Sequence, residues 1–279
     1  MLRKGQALVI VLLILAVITT VGLSIASRSV TEISTSTTND ESSRALAAAE
    51  AGVEAKLANV VAPSFGTSGE TSVTTTSSYG VGSEVALNEP LAAGEVGTIF
   101  LATHDSTGKL VSPYYGGNQI NICWGQNTNS SQSNTPAIEI ILYYFEGGVY
   151  KVSRLAYDPN NSRRASNSFS SVDNNTTCSS NKTFSFSQQI KLNGGGGNGL
   201  QMSGGSPLLL RIRLFYNGDN KHYVGIVANN NGTFPGQGQV INSTGQAGVT
   251  SRKVQVFQQY PDPMAIFDSA VFSKNSLLK

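Results

Sequence analysis

Residues 6–27 carry no charged side chain, and every position from Ala7 to Ile18 is apolar. As a helix rising 1.5 Å per residue this tract spans about 33 Å, enough to cross a bilayer. Residues 28–43 are Ser/Thr-rich, and only Val30, Ile33 and Thr37 continue a faint apolar stripe. Residues 44–58 are dominated by strong helix formers. Within and just beyond them, Leu46, Ala49, Val53, Leu57 and Val60 recur at three- and four-residue steps, flanked by Glu50 and Glu54. No proline occurs before Pro63. The pattern therefore predicts one helix over 6–61, roughly 84 Å long. Its membrane half is 6–27, and its second half docks on a folded domain through Leu46, Glu50, Val53 and Leu57.

Beyond the helix the period changes. Residues 62–95 are Ser/Thr/Gly-rich without periodicity and read as a connecting region with one short strand. From Val96 onward the alternation is two-residue. Residues 138–145 and 149–155 flank Glu146-Gly147-Gly148 as a hairpin, and 208–216 turn through Asn217-Gly218-Asp219-Asn220 into 222–227 as a second. A late strand covers 253–257. Leu208, Leu210, Ile212 and Leu214 share one face, with Arg211 and Arg213 on the other. The expected fold class is α+β: a long N-terminal helix packed on a mostly antiparallel sheet, with Leu46, Val53 and Leu57 covering the sheet's apolar face. The outer domain is 96–279, interrupted by polar tracts at 125–135 and 158–182.

Charge adds topology. Of 19 basic residues Arg3 and Lys4 precede the apolar tract, and without them 17 remain against 17 acidic ones. The basic excess thus reads as a cytoplasmic amino end, with the rest of the chain outside, and indicates no nucleic-acid surface. A charged fraction of 13% suits an extracellular surface. In an exported chain Cys123 and Cys178, the only cysteines, read as a disulfide, the alternative being two buried thiols.

The apolar segment alone fits a plain signal anchor. Gly5-Gln6-Ala7-Leu8, the long helix, and Ala48-Ala49-Glu50-Ala51-Gly52 followed by Val53-Glu54 together resemble type IV pilins and pseudopilins, of the minor-pilin or large tip-pseudopilin type. The likeness covers residues 3 to about 57. It implies a class III leader over 1–5, cut after Gly5 by a prepilin peptidase, and N-methylation of Gln6. It also implies partners: other pilin subunits through the helix, and an inner-membrane assembly platform. Most pilins carry Glu at the fifth mature position, where this chain has Ile10, and that absence resembles the large tip pseudopilin.

Catalytic chemistry is not indicated. There is no Gly-x-Ser-x-Gly elbow, and Gly194–Gly199, which formally matches Gly-x-Gly-x-x-Gly, precedes no helix-forming segment and reads as a hairpin tip. His104 and His222 lie beside predicted strands, and neither has a cysteine at metal-ligand spacing. Asp158-Pro159-Asn160-Asn161, Asp173-Asn174-Asn175 and Asp219-Asn220 offer oxygen ligands without calcium-loop spacing and read as Asx turns. No catalytic, cofactor or metal residue is expected. The expected role is a structural subunit, minor or at the tip, of a type IV pilus or related secretion filament. It is membrane-inserted first and extracellular after assembly. The alternative is an adhesin or binding module, anchored in the membrane or displayed on a filament.

Overall fold

The computed structural model describes residues 4–60, 69–105, 107–174, 178, 183–194, 199–229 and 232–268. In chain order the elements begin α1 (Lys4–Leu57), β1 (Thr71–Tyr79), β2 (Glu84–Ala86), β3 (Val96–Phe100), β4 (Ala102–His104), β5 (Leu110–Tyr114) and β6 (Gln119–Trp124). There follow β7 (Ala137–Glu146), β8 (Val149–Tyr157), α2 (Asn161–Asn167), β9 (Phe186–Asn193) and β10 (Gly199–Met202). The last are β11 (Ser206–Phe215), β12 (Val224–Ala228), β13 (Gly238–Ala247), β14 (Thr250–Gln259) and a 3-10 turn, Ala265–Asp268.

Helix α1 is unbroken over 54 residues, about 81 Å. Its Ser/Thr tract stays helical because the hydroxyls bond within the helix. Thr31, Thr37, Thr38 and Ser43 each donate to the carbonyl four residues back, at 2.9–3.0 Å. The helix stops four residues short of the expected end. Asn59 takes a left-handed φ of 54° and donates to the Lys56 carbonyl, while Val60 N–H reaches the Ala55 carbonyl. These two bonds form a Schellman cap.

The chain divides into two compact units, residues 1–77 with 240–257 and residues 78–239 with 258–279. In the first unit α1 lies on a three-stranded sheet ordered β1-β13-β14. The expected packing stripe is only partly right. Ala45, Ala48, Ala49, Gly52, Val53 and Ala55 are buried, whereas Leu46 is 42% exposed, Leu57 47% exposed, and Glu50 faces outward. Small residues on both surfaces explain the difference. A Cβ on Gly52 would strike the Ser243 and Thr74 hydroxyls, and one on Gly245 would strike the Ala45 carbonyl. Backbones this close leave no room for leucine between them. Polar clamps flank the contact. Arg44 pairs with Glu70, Glu41 accepts from Thr250 Oγ1 at 3.2 Å, and Arg252 Nε donates to Ser42 at 2.8 Å.

The region expected to be mostly connecting loop over 62–95 therefore supplies structure. Its nine-residue β1 is one of the strands under the helix, and β2 joins a five-stranded sheet. β1 reads Thr-Ser-Val-Thr-Thr-Thr-Ser-Ser-Tyr. Its threonines favour strand, but without apolar alternation it gives no periodic signal.

In the second unit the five-stranded sheet (β10-β9-β6-β12-β2) and a four-stranded antiparallel sheet (β3-β11-β7-β8) share one hydrophobic core. The expected hairpin at Glu146-Gly147-Gly148 is present, running from Ile138 opposite Tyr157 to Glu146 opposite Val149. The second expected hairpin is not. β11 and β12 sit in different sheets, and the chain turns the corner at buried Asn217, whose Nδ2 donates to the Leu91 and Asn220 carbonyls. The face of Leu210, Ile212 and Leu214 is accordingly buried in this core by the five-stranded sheet. Gly194–Gly199 likewise does not close a hairpin, because β9 and β10 pair in parallel. Residues 195–198 of that run lie outside the described residues.

Candidate functional site

The most distinctive chemistry of the chain lies in the first half of α1. Gly5 and Gln6 occupy its first turn, continuous with the apolar stretch. From Leu8 to Ile25 every large apolar side chain is between 52% and 71% exposed, around the whole circumference. A helix apolar on all sides needs an apolar environment to be stable. Here that segment is not covered by the rest of its own chain. Its two threonine hydroxyls are satisfied locally: Thr19 donates to the Leu15 carbonyl at 2.9 Å and Thr20 to that of Ala16 at 3.0 Å. The first charged pair beyond it is Arg28 with Glu32 at 3.6 Å, one turn apart and exposed. Among the described residues this is the one helix long and apolar enough to span a membrane. Ile10 sits on it, 59% exposed.

In the second unit Cys123, on β6, is bridged to Cys178 with their Cα atoms 6.2 Å apart. The two polar tracts expected as loops are tied together by a charge cluster that sequence reading missed. The Asp158 carboxylate, fully buried, accepts from Arg163 Nη2 at 2.7 Å and Nε at 3.1 Å, from Asn167 Nδ2 at 2.8 Å and from the Asn160 amide at 2.8 Å. Arg163 also donates to the carbonyls of Ser133 and Thr135 and lies 4.5 Å from the centre of the Tyr216 ring. Asn160 caps α2 by accepting from the Ser162 and Arg163 amides, and its own Nδ2 reaches the Gln132 carbonyl. The available signal was Asn160 as an N-cap two residues after Asp158, with Arg163 inside the first turn. A four-bond carboxylate committed to Arg163 is a structural anchor, consistent with the Asx-turn reading of this segment.

Arg211 and Arg213 do lie on the face of β11 away from the core, yet Arg211 is only 1% exposed. The chain from Asp262 to Asp268 crosses over it. Arg211 bonds Asp268 at 2.9 and 3.0 Å, Asp262 at 3.1 Å and the Pro263 carbonyl at 2.6 Å. Tyr143 donates to the same Asp268 at 2.8 Å.

The histidines sit apart. His222 is 3% exposed, its Nδ1 accepts from the Gln126 amide at 3.1 Å, and burial lowers its pKa so that it is neutral at pH 7. His104 stacks on Tyr260 with ring centroids 3.8 Å apart. No group of three or more His, Cys, Asp or Glu able to hold a metal occurs among the described residues. Comparison with known protein families, with curated proteins and with solved structures finds no match.

Proposed function

We propose that this chain is a structural subunit, minor or at the tip, of a type IV pilus or related secretion filament. The observation that carries the reading is the continuity of α1. One rigid helix has an amino-terminal half apolar on every side and free of its own chain, and a carboxy-terminal part from Glu41 docked on a sheet. Such a helix can exchange lipid for neighbouring helices of the same kind, because both environments are similarly apolar. A folded outer part travels with it. In this reading a peptidase cuts after Gly5, Gln6 becomes the methylated amino terminus, and an inner-membrane platform passes the helix into the filament. Before assembly the amino end is cytoplasmic and the outer part lies beyond the membrane.

Ile10 favours a sparse position. In type IV pilins the Glu at that position pairs with a neighbouring subunit's amino terminus, and such a buried carboxylate–ammonium pair mainly fixes register, since desolvation offsets much of its Coulomb gain. A subunit without that carboxylate leaves a neighbour's amine unpaired at each layer, except where no neighbour precedes it. A second reading, a displayed binding module, is favoured by the exposed aromatic pair Phe145 and Tyr150 at the β7–β8 hairpin, 39% and 78% exposed. Shear fractionation with quantitative proteomics separates them. The filament reading expects the chain in sheared filaments at a small fraction of total subunit mass. A chain found only in membranes is a singly anchored module, and one dominating the filament mass is a bulk pilin.

A further inference from the structure

Two adjoining depressions open on the second unit, one of about 230 Å³ and one of about 470 Å³, and Gln259 and Tyr260 line both. The larger falls within the roughly 300–1,000 Å³ of ordinary small-molecule sites. Its aromatic wall is rigid. The Tyr260 ring stacks on His104 at 3.8 Å and 19°, and Phe100 meets His104 edge-on at 4.4 Å and Tyr260 at 6.0 Å. Phe100 is itself buried and clamped by Gln237, whose Oε1 accepts from its amide at 2.7 Å and whose Nε2 donates to its carbonyl at 3.0 Å.

Around this wall the larger depression presents neutral amides, while the smaller one adds the carboxylates of Glu89 and of Asp262, the latter bonded to the Thr98 hydroxyl and to Arg211. Gln239, Gln258 and Gln259 all line the larger depression, and their side chains have no hydrogen-bond partner among the described residues. Each primary amide offers two donors and an acceptor with two lone pairs, which matches adjacent hydroxyl groups. Neither depression is lined by lysine or arginine. His104 is neutral at pH 7 because burial lowers its pKa. The Asp105 carboxylate is turned onto its own loop, with one oxygen accepting from the Thr107 amide and hydroxyl and from the Lys109 amide. The surface therefore holds nothing to neutralise an anion, and its amides make it a poor match for an aliphatic chain. A ligand with an apolar ring face and many neutral hydroxyls fits both the wall and the amides.

We propose that this paired depression binds a neutral saccharide, a sugar ring lying against Tyr260 with its hydroxyls bonded to Gln239, Gln258 and Gln259. The site belongs to the second unit alone and does not depend on filament assembly, so its failure would leave the filament reading standing.

The test presents the full chain, held in a non-glycosidic detergent, to a printed array of neutral, sialylated and sulfated oligosaccharides. Binding is then repeated with Tyr260→Ala, with the exposed double change Gln258→Ala/Gln259→Ala, and with Tyr114→Ala as an exposed aromatic control on β5 that lines neither depression. Binding is expected to neutral glycans only. The Tyr260 variant and the glutamine pair should each weaken it by roughly tenfold or more, with Tyr114→Ala unchanged. The glutamine pair guards against a Tyr260→Ala result caused by misfolding. Absence of any neutral glycan signal, selection of the acidic glycans, or equal loss in Tyr114→Ala would overturn the assignment.

Discussion

Asp158→Ala should lower the unfolding free energy of the outer part by about 3–5 kcal/mol, the range seen when one member of a buried ion pair is removed. The carboxylate is fully buried and its partner Arg163 is only 18% exposed at the side chain. Removing it leaves a guanidinium with little access to water and strips an acceptor from the Asn160 amide and from Asn167. The N-cap of α2 and the links to Gln132, Ser133 and Thr135 depend on the same corner. Asp158→Asn keeps the shape and one carbonyl acceptor, so it should fall between Ala and the native chain. The single tryptophan, Trp124, is fully buried and reports the transition by its fluorescence in denaturant. A loss below about 1 kcal/mol would place the pair with ordinary surface ion pairs.

Removing the Cys123–Cys178 bridge should cost about 4 kcal/mol. The two residues are 55 apart in sequence, and closing a loop of that length restricts the unfolded chain by about this amount in the chain-entropy model. The double change Cys123→Ala/Cys178→Ala removes the link without leaving a free thiol. Cys123 is buried beside the core, so the alanine also loses some packing, which adds to the cost. Denaturation of the oxidised and reduced native chain gives the link term alone. Coincident midpoints for the two would contradict a stabilising bridge.

The features legible in the sequence are those written in large apolar side chains. The apolar run from Ala7 to Ile18 announced the helix, and the mostly apolar segments 138–145 and 149–155 on either side of Gly147-Gly148 announced β7 and β8. Where contacts are made by small or polar groups, the signal vanishes. Leu46 and Leu57 looked like the docking stripe because hydrophobicity marks size. The helix instead packs through Ala45, Ala49 and Gly52, where closeness is the requirement. Ser72 and Thr74 of β1 were unreadable for the same reason. The turn at Asn217 resembles a hairpin locally, and only the choice of sheet, decided by distant partners, distinguishes it. The Asp158 cluster was hidden in a polar tract because a buried charge looks like an exposed one in sequence. The aromatic stack of Phe100, His104 and Tyr260 joins residues more than 150 positions apart, beyond any local pattern.

The filament reading rests on what becomes of the first five residues. Mass spectrometry of the amino-terminal peptide of this chain, taken from sheared extracellular filaments, tests it most directly. A subunit processed after Gly5 yields a peptide beginning at Gln6, with Gln-Ala-Leu-Val as its first residues and a methyl group on the amine. A peptide that retains Met1–Gly5, or one that begins after Ala26, would contradict it.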